Sequence, residues 1–149
     1  KVDLKPLGLS DHFELKKVPY IPDWASKMSI EPKNEFYDMY ASSEMKDEIR
    51  YVTTEIVPAH TELGKIIDNT PFKIVLKCTM QGSEFKIVKN LDKHGLLHKI
   101  DLIITITHNQ EIQPIIDRLQ KNGFLVEVLM INKAKNIHKI LASKKKVDD

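Results

Sequence analysis

The sequence predicts an α/β fold: a mostly parallel sheet flanked by helices, closed by a C-terminal antiparallel hairpin and carrying a partly β insertion after its first strand. Three observations carry this expectation. Between Phe72 and Asn122, apolar runs of strand length alternate with segments of helical period, the pattern of strand, crossover helix and parallel strand. The run Ile74-Val75-Leu76 is apolar without alternation, as in strands covered on both faces. After Gly123, two strand-length segments are separated only by a polar stretch, Asn132 to Asn136, which is too short for a crossover and implies a hairpin.

The elements follow in chain order. Val2 to Asp11 alternates apolar and polar residues before a Gly, Ser and Asp cluster, predicting a short strand that ends in a turn. From Phe13 to Val57 the pattern weakens, broken by Pro19, Pro22 and Pro32. Within this insertion Lys16 to Ile21 and Arg50 to Val57 are rich enough in β-branched and aromatic residues to form outlying strands. Trp24, Phe36, Tyr37 and Tyr40 would form either a small satellite core or a lid.

A short helix is expected over Thr61 to Asp68, where Leu63, Ile66 and Ile67 are apolar, stopping near Asn69 and Pro71. Lys73 to Cys78 is the next strand. Ser83 then stands where a helix cap belongs, ahead of a helix through Leu91 whose Phe85, Val88 and Leu91 recur every three residues. Leu102 to Thr107 forms a strand and Glu111 to Asn122 a helix, with Pro114 tolerable only in the first turn and Gly123 as a left-handed stop. Phe124 to Ile131 and Ile137 to Ser143 make the closing hairpin.

Composition narrows the function classes. With 149 residues, 42% of them hydrophobic and 30% charged, the chain is one domain with enough apolar surface for a real core. A net charge of +2 is too small to argue for nucleic acid or an anionic membrane. The basic run Lys144, Lys145, Lys146 and the residues after it read as a solvated tail, leaving 1–143 as the domain. A single cysteine, Cys78, excludes an internal disulfide framework and a Cys-based zinc cluster, so the cytoplasm is the default expectation. No apolar run approaches the roughly 20 residues of a membrane-spanning helix, and no charged-then-apolar leader is visible.

The turn after the Lys73 to Cys78 strand is the place to seek a ligand, because ligands of open α/β sheets sit outside the carboxyl ends of the strands. There the segment Leu76-Lys77-Cys78-Thr79-Met80-Gln81-Gly82-Ser83-Glu84-Phe85 resembles the strand and turn of FkbM-type methyltransferases. That family's pattern is roughly apolar, Lys, apolar, Asp, apolar, Glu, Gly, any residue, Glu. Lys77, Gly82 and Glu84 match, while Thr79 and Gln81 stand where acids are expected. The family's next strand ends in Glu, any residue, His, of which Ile106-Thr107-His108 keeps the histidine. Leu7-Gly8-Leu9-Ser10-Asp11 is similar to the family's segment before its long β insertion.

The resemblance spans nearly the whole chain in order, and implies the later half of a Rossmann-like class I methyltransferase sheet. It places the N-terminal half, with its glycine-rich cofactor loop, before Lys1; no GxGxxG-like loop occurs within the sequence. It implies S-adenosylmethionine as cofactor and a hydroxyl of a small molecule or glycan as acceptor. Ser10, Asp11, Cys78, Thr79 and Gln81 would lie along the cofactor, and Glu84 and His108 would be the groups able to take a proton. Thr79 and Gln81 keep hydrogen-bonding ability but lose charge and basicity.

Each of these residues also has a purely structural reading. Gly82 suits a positive-φ turn, Glu84 suits a helix N-terminus, and His108 can be a hydrogen-bonded strand-end histidine. Cys78 can be a small buried apolar residue, and Ser10 with Asp11 is ordinary turn chemistry. Two functions therefore compete: a methyltransferase, or an inactive methyltransferase-fold scaffold that packs against the missing half or a protein partner. A metal-dependent nuclease is disfavoured, since Thr79, Thr105, Thr107 and Asn109 put no acids at the strand ends.

Overall fold

Two separate sheets, of three and four strands, organise the chain. The computed structural model describes residues 6–20, 49–79, 82–108 and 111–144; Trp24, Phe36, Tyr37 and Tyr40, together with Gln81, lie outside them.

The first sheet gathers β1 (Leu7–Ser10), β2 (Glu14–Tyr20) and β3 (Arg50–Pro58), with β3 in the middle. β1 runs parallel to β3, pairing Leu7 with Glu55, and β2 runs antiparallel, pairing Tyr20 with Arg50. Pro19 is tolerated because β2 is an edge. Both outlying strands expected in the insertion are present. They form a sheet of their own with β1, β3 pairing with both β1 and β2, and so do not extend the main one; Val18 and Ile56 are buried on one of its faces, while Leu9 of β1 packs against the core of the other sheet.

At Pro58, β3 passes directly into helix α1 (Ala59–Ile67). The second sheet then takes β4 (Val75–Cys78), β5 (Leu102–His108), β6 (Phe124–Asn132) and β7 (Ile137–Lys144) in the order β4-β5-β7-β6. Helix α2 (Glu84–Lys93) joins β4 to β5, and α3 (Gln113–Lys121) joins β5 to β6. Gly123 adopts φ 83°, the left-handed stop expected after α3.

The expectation of a mostly parallel sheet is corrected: among the described residues β4 with β5 is the only parallel pair in this sheet, and β7 lies antiparallel between β5 and β6. The reason is burial. His138, Ile140 and Ala142 of β7 alternate as buried residues, whereas most of β6 is exposed, so β7 takes the interior position and β6 the edge.

One core fills one side of this sheet. Ile87, Val88 and Leu91 of α2 and Ile115 and Leu119 of α3 pack over Cys78, Ile103, Ile140 and Ala142. Phe85 is partly buried against the same cluster. One finer expectation fails. Val75 is 58% exposed: it points away from the side where the helices gather, so Ile74-Val75-Leu76 is covered on one face only among the described residues. Asp101 fixes the register of β4 on β5, accepting from the Ile74 N–H at 2.7 Å while its own N–H donates to the Ile74 carbonyl at 3.0 Å.

Candidate functional site

The carboxyl ends of β4 and β5 lie side by side because the strands are parallel, with Cys78 opposite Thr105. This juxtaposition of strand end, turn and helix start makes the region the candidate site. The turn reverses at Gly82, whose φ of 127° is a conformation that side chains with a Cβ rarely adopt. Its N–H donates to Glu84 Oε2 at 2.8 Å. Glu84 is fully buried, so its carboxylate staples the turn to the first residue of α2.

Ser83 occupies the N-cap position, but its hydroxyl makes no capping bond. Its backbone is already helical there, which aims the side chain away from the exposed helix N–H groups. The staple by Glu84 replaces the expected serine cap.

The other residues fall into three places. Cys78 is buried, and burial, with a smaller contribution from the Glu84 charge, pushes its thiol up to about 12. Thr79 is exposed at the end of β4 and His108 is half-buried at the end of β5. Ser10 and Asp11 end β1, in the other sheet; Ser10 is buried and donates to Asp11 Oδ1 at 3.3 Å. Asp11 also bonds His12 Nδ1 at 2.9 Å. That bond holds the Asp11 carboxyl below its usual value and, with one from Glu14, raises the His12 imidazole. Among the described residues, no hydrogen bond joins this pair to the β4 turn. The structure brings Cys78, Thr79, Gly82 and Glu84 together; Ser10 and Asp11 share a local turn network at the end of β1, whose Leu9 packs against the same core.

Beneath the turn runs a polar layer that sequence patterns did not reveal. Thr105 and Thr107 are fully buried on β5, and His138 is nearly so on β7. Thr107 Oγ1 donates to the His138 carbonyl at 3.5 Å, while Thr105 Oγ1 and His138 Nδ1 are buried without a hydrogen-bond partner among the described residues. Threonine in an isoleucine-rich strand reads simply as a β former, so nothing local marked these positions.

Asn90 was missed for a similar reason. It is buried on α2, and its Oδ1 accepts from the His60 N–H at 2.8 Å, capping the first turn of α1 from another helix. His60 also stacks on His94, ring centroids 3.5 Å apart. The signal available was an amide on the apolar side of a helix.

Cys78 supplies a direct check on this description. Ellman's reagent at pH 8 should label the native thiol roughly a thousandfold more slowly than the urea-unfolded chain, following the difference in thiolate fraction. Comparable rates would show that β4 is not buried as described.

Among the described residues, no group of three or more His, Cys, Asp or Glu side chains is placed to hold a metal ion, and no helix is long and apolar enough to cross a membrane. Comparison with family models, with curated proteins and with solved structures returned no match.

Proposed function

We propose that this chain is a methyltransferase-like α/β domain of the S-adenosylmethionine-dependent kind, with a hydroxyl of a small molecule or glycan as its class of acceptor. The observation that carries this reading is the turn between β4 and α2. Lys77, Gly82 and Glu84, the positions that resemble the FkbM-type pattern, fall on a strand, a positive-φ turn and a helix start. The following strand, β5, lies parallel, and ligands of such units gather at this edge.

The residues present suit such a ligand in part. The exposed Thr79 hydroxyl and the turn backbone offer neutral hydrogen bonds, suited to orienting a cofactor that supplies a methyl group from its sulfonium sulfur. Glu84 does not suit the role of base: its carboxylate is buried and holds Gly82 in place. On this reading the turn positions the ligand, while His108 is the remaining group near the strand ends able to accept a proton. Positioning can contribute a large share of the barrier reduction in such transfers, and a base adds to it.

Titration calorimetry of the protein with S-adenosylmethionine and S-adenosylhomocysteine tests the reading. Binding with a micromolar to sub-millimolar Kd is expected, weakened several-fold by Thr79→Val. No heat at millimolar ligand removes the proposal. In that case the second reading takes its place, an interaction module built on the same fold, which the exposed Val75, Leu125 and Leu129 favour independently.

A further inference from the structure

The face of the four-stranded sheet that no described helix covers points to an interaction independent of ligand binding at the turn. We propose that this face is a self-complementary interface between two copies of the chain, packed sheet against sheet.

Cross-strand register lays the face out in rows. Directly opposed residues point to the same side, so one row runs Val75, Leu102, Ser143, Leu125 across β4, β5, β7 and β6. The next runs Lys77, Ile104, Leu141, Glu127. These positions alternate with the buried Ile103 and Ala142, whose side is filled by the helices. Val75 and Leu125 remain 58% and 52% exposed. β4 spans four residues, so the rows shared by all four strands, about 4.8 Å apart with about 3.3 Å per residue, make a footprint on the order of 250 Å², apolar at its centre and charged at its edges.

The charges of the second row select the occupant; Lys139, exposed in the next row beside Ile106 and Leu129, lies outside the matched pair. Lys77 and Glu127 stand at opposite edges of the same row, with Ile104 and Leu141 between them. A two-fold axis running along the strands, between β5 and β7, sets each copy's β4 over the partner's β6. Lys77 then meets the partner's Glu127 and Val75 meets the partner's Leu125, while Ile104 and the partner's Leu141 meet at the centre; every contact occurs twice. An isologous interface requires a patch complementary to itself under one rotation. This row meets that condition in charge and in apolarity, and the packing is the aligned kind found in sandwiches. An interface of this modest size predicts a weak dimer.

Sedimentation velocity on the full chain across a concentration series tests the proposal, together with Lys77→Glu, Glu127→Lys and the double exchange. Both side chains lie at exposed positions, so circular dichroism should show all three variants folded. Each single reversal sets like charges together twice and should raise the dimer dissociation constant at least tenfold; the double exchange should restore it to near the parent value. A parent chain that stays monomeric at several hundred micromolar overturns the proposal and leaves the face to another protein segment. A dimer indifferent to both single reversals overturns it as well, since association then uses a different surface.

Discussion

Replacing Glu84 with alanine should destabilise the fold by about 2–4 kcal/mol, the range for losing a buried, hydrogen-bonded ionisable side chain. The side chain is fully buried and Oε2 accepts the Gly82 N–H at 2.8 Å. Removal costs that bond, leaves a donor unpaired in a turn already held at φ 127°, and opens a void beneath the start of α2. Glu84→Gln keeps the volume and an acceptor, so its loss should be about half as large. Urea unfolding, with the midpoint and its slope measured for both variants, decides the matter. The prediction separates two roles that the sequence could not: a residue poised for proton transfer is commonly neutral or costly to stability, so its removal leaves the fold intact or firmer. An alanine variant within about 0.5 kcal/mol of the parent would return Glu84 to the list of candidate bases.

The legible parts of the fold were those fixed by local pattern. The run from β4 to β7 is patterned at periods of 2.0 and 3.6 residues, and Gly123 announces the end of α3, so each strand and α-helix was found within two residues of its observed bounds, while the 3-10 turn Leu97–Lys99 was not. Strand order was not legible, because pairing depends on which strand buries its alternate residues best. His138, Ile140 and Ala142 settle that for β7, but only against a partner far away in sequence. The division into two sheets is hidden for the same reason: Leu7–Ser10 resembles any opening strand until Leu7 is seen opposite Glu55. At the candidate site, Gly82 was readable because its geometry restricts residue choice. Glu84 was readable as a helix-start acid but not as a staple, since the acceptor role appears only once the turn has formed. Asn90 and Thr105 act across elements and leave little trace in local pattern.

The adjacent pair Ile103 and Ile104 offers the sharpest test of a sheet with one covered face. Ile103 is fully buried in the core with Leu76 and Ala142 as its cross-strand neighbours; Ile104 is half-buried and points the other way, between Lys77 and Leu141. Ile103→Ala should cost about 3–4 kcal/mol, the transfer energy of the deleted carbons plus the cavity they leave. Ile104→Ala, measured at low micromolar protein, should cost about 1 kcal/mol, mostly lost strand propensity and partial burial. At high protein concentration the two should diverge in another way. Association stabilises the folded state by mass action, so the stability of the parent should rise with concentration. In Ile104→Ala that rise should be largely lost, because the interface loses its central contact, whereas Ile103→Ala should keep it. Chemical unfolding at two concentrations a hundredfold apart therefore reads core and interface separately from neighbouring residues of one strand. Equal losses for the two variants at low concentration would mean that β5 is covered on both faces within a single chain, leaving neither a one-sided core nor a surface for a second copy.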